Sequence, residues 1–219
     1  MSPLDQFQAQ LGYTFTQPDL IRQAMVHRSY LNENPDFPLG HNERLEYLGD
    51  AVLELVVSEY LYRTYPNPEG DLTNWRASLV NAKSLSDVAK DLEIDQYLML
   101  SRGEAREKNT KARQNIHANA MEAIIGAFYL DGGIEPATMF ITKHILSRLP
   151  AILDSQSYID PKSKFQEMSQ AVFGITPNYK VLKEWGPDHD KHFLMGLYLA
   201  DEEVATGEGA SKQEAQVMA

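Results

Sequence analysis

No cysteine occurs in the 219 residues, which rules out disulfides and thiolate metal sites. A reducing compartment, the cytoplasm, fits that composition. No apolar run approaches the ~20 residues needed to span a bilayer. The first residues, MSPLDQFQAQLGY, hold no basic patch followed by an apolar stretch, so no secretory leader is expected. Positive charge is scarce: 20 Lys and Arg stand against 31 Asp and Glu, a net charge of −11. Net charge alone therefore argues against nucleic acid as a partner, because a polyanion prefers a basic surface. It fits a soluble acidic protein, or acids gathered to hold metal. Hydrophobic residues make up 43 %, enough for a globular core in one large or two modest domains.

Up to about residue 150 the pattern is helical, with apolar residues at intervals of three and four, as in Leu45, Leu48, Val52, Leu55 and Val56. The breaks are polar: 32–40, 65–71, 101–115 and 131–133. The segment 102–113, RGEAREKNTKAR, carries five basic residues. It reads as a solvated basic loop, with phosphate contact as the alternative. Pro150 is expected to stop a helix, and 151–158 reads as a linker. Asp160 and Pro161 then open a helix, with Asp as the cap. Strand-like runs follow at 178–185, 191–200 and 200–209, and Ser211 with Glu214 makes a capping box for a last helix. The order α-β-β-β-α over residues 159–219 describes a small α+β module whose last helix is expected to continue past Ala219.

The stretch HNERLEYLGDAVLEL, residues 41–55, sets like charges within a core-forming pattern. At ~100° per residue, Glu43, Glu46, Asp50 and Glu54 share one face within roughly 80°. Leu45, Leu48, Val52 and Leu55 lie opposite. An ordinary wet face mixes signs, and this one has no lysine. Gly49 inside the helix costs ~1 kcal/mol against Ala, which implies a neighbour in close approach. In a second helix, IHANAMEAIIGAFYLDGG, Asn119, Glu122 and Gly126 share a face. If the two faces meet, Glu46, Asp50, Asn119 and Glu122 surround one point. Carboxylates crowded there do not all stay charged unless a hard cation such as Mg²⁺ joins them. A solvated acidic surface is the competing reading of the same spacing.

ERLEYLGDA, residues 43–51, resembles the nine-residue signature of the ribonuclease III family. Around it, 11–33, 70–85 and AMEAIIGAFYLDGG at 120–133 are similar too, and 159–219 resembles a double-stranded RNA-binding domain. The resemblance implies an all-α endonuclease domain over 1–150 that pairs as a homodimer, then one RNA-binding module. It implies a metal-dependent endoribonuclease that cuts both strands of duplex RNA in ribosomal and messenger RNA processing. Two Mg²⁺ ions, with Mn²⁺ as substitute, would assist attack by water and leave 5′-phosphate and 3′-hydroxyl ends. Glu46, Asn119 and Glu122 map to metal ligands, Asp50 and Glu122 to catalytic acids, and Glu43 and Glu69 to supporting acids near the cleft and the dimer contact. Glu54 has no family role and reads as surface. In the RNA-binding module Gln166 and Glu167 would face one minor groove and His189 the next, and Ser211 and Lys212 would meet phosphate. Members usually have a second lysine where Gln213 stands.

One position departs from the pattern, because the family typically carries Asp where this chain has Asn119. The amide keeps an oxygen and loses the charge. Three readings stay open: a tolerated natural variant, an engineered change that traps substrate, or a weakened member that mainly binds RNA. His27, Arg28 and Tyr30 are expected in a structural hydrogen-bond network. His117 is expected to be incidental, and Trp75 and Trp185 to serve packing.

Overall fold

The computed structural model describes residues 3–107, 110–156, 158, 161–187 and 190–219. The chain divides into two compact units, Met1–Tyr158 and Ile159–Ala219.

The first unit is helical. In order come α1 (Pro3–Leu11), α2 (Pro18–Ala24), α3 (Arg28–Glu33), α4 (Glu43–Thr64), α5 (Glu69–Val80), α6 (Ala82–Asp91), α7 (Arg102–Arg106), α8 (Lys111–Gly132), α9 (Ile134–His144) and α10 (Leu149–Ser155). The organising element is α8. Its residues Ile116, Ala118, Ala120, Met121, Ala123, Ile124, Ile125, Ala127 and Phe128 are all buried, so neighbours enclose it on nearly every side. Its start is fixed by Thr110, whose hydroxyl accepts from the Arg113 amide. Gly133, at φ 82°, ends it. Helix α4 packs along it, burying Leu45, Val52, Leu53, Val56, Val57 and Leu61.

The two long helices touch backbone to backbone. A methyl group built on Gly49 would overlap the Glu122 carbonyl, and one on Gly126 would overlap the Leu45 carbonyl. The neighbour expected at Gly49 is therefore α8 itself.

Several local expectations change. Leu55 does not join the core; it is 59 % exposed. The core stripe turns past it, and Val52, Leu53, Val56 and Val57 fill the interior. The basic segment is not a continuous loop: Arg102–Arg106 forms α7, capped by the Ser101 hydroxyl, and Lys111 already belongs to α8. Pro150 lies in the first turn of α10 rather than at a helix end. The first turn needs no amide donor there, so proline is tolerated. The stretch read as a linker is consequently helical to Ser155.

The second unit holds α11 (Pro161–Phe173), a three-stranded antiparallel sheet and α12 (Lys212–Met218). The strands β1 (Asn178–Trp185), β2 (His192–Leu199) and β3 (Glu202–Gly209) pair in sequence order. Ser211 caps α12 through the Glu214 amide, and the Glu214 carboxylate accepts from the Ala210 amide, a shifted capping box. The Asp160 cap expected for α11 lies outside the described residues. Among the described residues, no helix is long and apolar enough to cross a membrane.

Gly49→Ala should destabilise the first unit by about 3 kcal/mol or more, because two backbones must separate to admit the methyl. Gly70, in the first turn of α5, has open space around the same position. Gly70→Ala should be neutral or stabilising by up to ~1 kcal/mol. Denaturant unfolding of the pair measures the contrast, and equal stabilities would overturn the close-approach account.

Candidate active site

The crossing at Gly49 and Gly126 sets one turn of α4 against one turn of α8. Glu46 and Asp50 flank Gly49 on the first helix, and Asn119 and Glu122 precede Gly126 on the second. Glu46 links the four. The Glu46 side chain is hydrogen-bonded to Asn119, and the charges of Glu46 and Asp50 both act on Glu122. Asp50 is exposed, whereas Glu46, Asn119 and Glu122 are half-buried.

The electrostatics of this group are strained. Burial, with the negative charge of Asp50 and then Glu46 beside it, pushes the Glu122 carboxyl from an ordinary 4.5 up to about 8. Burial also raises Glu46, with Glu43 and Asp50 adding to the shift while the Asn119 hydrogen bond opposes it. The Glu46 Oε2 atom is buried and has no hydrogen-bond partner. An orphaned carboxylate oxygen beside two more acids and an amide oxygen is a donor set for a hard divalent cation. The chemistry fits magnesium. Among the described residues, however, no three Asp, Glu or His groups stand as a ready-formed cage. Asn119 contributes an amide to the group, and Asp50 lies at its exposed edge.

The other expected residues are distributed less evenly. Glu43 lies on the first turn of α4, 3.6 Å from Arg28 and 3.7 Å from His41, and touches the site through its charge on Glu46. Glu69 opens α5 and accepts from the Thr73 hydroxyl; among the described residues, none of its contacts reaches Glu46 or Glu122. Glu54 is not a free surface acid, since it pairs with Arg76 of α5 at 2.9 Å. His27 caps α3 and bonds Ser29, whose hydroxyl also accepts from the Ser101 amide. His27 thus has the expected structural role, whereas Arg28 pairs with Glu43 and the Tyr30 ring packs edge-on against Phe37. Trp75 is buried edge-on to Tyr65 and Tyr158, and Trp185 stacks on His192.

In the second unit Gln166 and Glu167 are exposed on α11. Ser211 is occupied as the α12 cap, and the Lys212 ammonium sits 5.6 Å over the Phe193 ring. His189 lies outside the described residues.

His117 is not incidental. It is buried, with Nε2 2.8 Å from Asp95 and Nδ1 3.2 Å from Ser86. Arg113 pairs with the same Asp95 oxygen at 2.9 Å. Helical spacing puts Arg113 and His117 on one face, but nothing in the sequence marks Asp95 and Ser86, 18 and 27 residues before Arg113, as their partners.

Comparisons with known proteins give the geometry its context. A Ribonuclease-III-like family model matches residues 17–149, and a double-stranded RNA binding motif matches 161–219. Ribonuclease 3 of Carboxydothermus hydrogenoformans is 44 % identical over 207 residues, covering 94 % of this chain and 88 % of its own. Ribonuclease 3 of Borreliella burgdorferi is 40 % identical over 219 residues, covering 100 % and 89 %. The solved nuclease domain of ribonuclease III from Campylobacter jejuni superposes with a TM-score of 0.59 at 36 % identity, over 67 % of this chain and 99 % of that one.

The Glu122 shift predicts a pH dependence. The folded chain holds a proton there that the unfolded chain releases near 4.5, so the native state binds more protons up to about pH 8. This contribution to stability is present below pH 4.5, is lost as pH rises, and is gone above about 8. In EDTA, Glu122→Gln should remove that part of the decline. Calorimetry from acid to pH 9 reads it, and an unchanged slope in the variant would place the strain elsewhere.

Proposed function

Because the chain belongs to the ribonuclease III family and is an endoribonuclease acting on double-stranded RNA, we propose that Glu46, Asn119 and Glu122 hold Mg²⁺ and that Asp50 orients the attacking water. The observation that carries this is the unpartnered Glu46 Oε2 beside a Glu122 carboxyl raised to about 8. These groups are destabilised by one another and relieved by a cation. Divalent ions held by these residues would supply Lewis-acid stabilisation of the phosphate's charge.

The chain's own residues do the rest. Asp50, exposed at the edge of the group, accepts a hydrogen bond from the water and aims its lone pair at phosphorus. The water oxygen bonds phosphorus as its proton passes to Asp50, the bond from phosphorus to the 3′ oxygen breaks, and that oxygen takes up a proton from solvent. The products carry 5′-phosphate and 3′-hydroxyl ends. Asn119 would offer its amide oxygen to the cation while keeping its hydrogen bond to Glu46, so the donor set loses one charge and no oxygen.

Affinity for RNA belongs to the second unit, since an acidic cleft repels phosphate until cations fill it. Gln166 and Glu167 on α11 fit contacts to 2′-hydroxyls in a minor groove, and Lys212 fits a phosphate. Along α4, Tyr47 at 82 % exposed, Leu55 and Tyr62 at 80 % share one exposed face. An apolar row of this kind suits a second copy of the chain. A two-fold homodimer would face two sites toward one duplex, each cutting one strand. Ribosomal and messenger RNA precursors in the cytoplasm, with their long stems, are the substrates we propose.

Asn119 favours one second reading, a catalytically weakened chain that mainly binds duplex RNA. Retention of Glu43, Glu46, Asp50, Glu69 and Glu122 weighs against it.

A long perfect duplex should be cut in Mg²⁺ and left whole in excess EDTA. Asp50→Asn should lower kcat by about 100-fold or more while duplex binding persists. Asn119→Asp should match or exceed the parent rate. Activity found only in Asn119→Asp would establish the binding-protein reading, and cleavage in EDTA would remove the metal site. Leu55→Glu should turn a dimer into a monomer in light scattering, and an unchanged mass would exclude the α4 face as the contact.

A further inference from the structure

On the flank of α8 away from the acids lies a polar cavity of about 500 Å³, walled by α6, the turn at Ile94–Gln96 and the first turns of α8. Ser86, Lys90, Asp95, Lys111, Arg113 and His117 line it. At ~100° per residue, Arg113 and His117 stand within about 40° of each other and at least about 120° from Asn119 and Glu122. The cavity is thus separate from the acidic group.

Arg113 is the unusual member. It is 7 % exposed, and its Nη2 pairs with Asp95. Its Nε and Nη1 are buried with no hydrogen-bond partner. Asp95 does not answer them: its Oδ1 takes Arg113 Nη2 together with His117 Nε2, and neither Nε nor Nη1 reaches it. Lys90 is balanced by Asp87 at 3.0 Å. Lys111 adds a cation for which the described residues supply no acid, in the first turn of a 22-residue helix whose amide dipoles point the same way. A buried guanidinium short of acceptors, a helix start and a surplus lysine around one cavity form an oxyanion site in a chain of net charge −11.

We propose that this cavity binds a phosphate-class oxyanion. The phosphoryl oxygens satisfy the Arg113 donors, Lys111 balances the charge, and the Ser86 hydroxyl stands among the lining groups. The cavity is larger than a phosphate, so the phosphoryl group can arrive carried by a small molecule or as a backbone phosphate of duplex RNA outside the cleft. The ligand chemistry is the same in both cases.

The test titrates inorganic phosphate, then pyrophosphate, into the full chain by calorimetry in EDTA at constant ionic strength, with chloride as the reference. One saturable site per chain is expected. Lys111→Ala should weaken it about tenfold, as for a lost charged hydrogen bond, and Lys143→Ala on α9 should not. Arg113→Lys, which keeps the charge and drops two donors, should weaken it further; the exposed Lys111 variant decides the matter if that protein does not fold. No saturable binding beyond chloride, or equal affinity in the parent and Lys111→Ala, overturns the site. Repeating the titration on duplex-saturated protein separates the sources. Loss of phosphate binding identifies an RNA phosphate as the occupant, and its persistence identifies a small phosphorylated molecule. A chain that cleaves duplex without binding phosphate loses only this site, and one that binds phosphate without cleaving leaves the site standing.

Discussion

Two helix backbones in contact, α4 and α8 at Gly49 and Gly126, decide where Glu46, Asp50, Asn119 and Glu122 meet. Side chains at ordinary helix spacing would hold Glu46 and Asp50 too far from Asn119 and Glu122 for their charges to matter to one another. Glycine on both sides removes that spacer. The burial of α8 on nearly all sides makes the contact rigid, because the helix has no direction in which to retreat. A cost of ~1 kcal/mol per helical glycine is the local sacrifice that brings four oxygen-bearing side chains together.

The group so formed is incomplete by design of its charges. Glu122 is pushed to about 8 by burial and by two neighbouring acids, and Glu46 keeps an oxygen without a donor. Folding energy from the apolar core holds these groups together against their repulsion, which is the usual relation between a stable scaffold and a strained site. The same reasoning places duplex recognition in a separate unit. A cleft that gathers negative charge cannot also supply the electrostatic attraction that RNA affinity requires.

Much of this was legible in the sequence, and the reasons differ by residue. Glu46, Asp50, Asn119 and Glu122 could be named because helical periodicity fixes which residues share a face, and interior glycines signal a close neighbour. The α-β-β-β-α order of the second unit followed from period-2 runs and the Ser211 cap. Other residues gave no such signal. Leu55 fits the apolar stripe as well as Val52 does, yet it faces outward, because the curvature and packing partners of a 22-residue helix choose which edge of the stripe is covered. Glu54 looked like a fourth member of the acidic line, and Arg76, one helix away, claimed it.

Sequence alone determined the two-part architecture, the acidic face of α4 and the matching face of α8, since those depend on local periodicity, capping and composition. Only the tertiary structure decided that the Glu122 carboxyl is pushed up to about 8, that Glu46 is left with an unanswered oxygen, and that Arg113 and His117 share Asp95. Each of those depends on burial and on distances between residues far apart in the chain, and helical period carries no information about either.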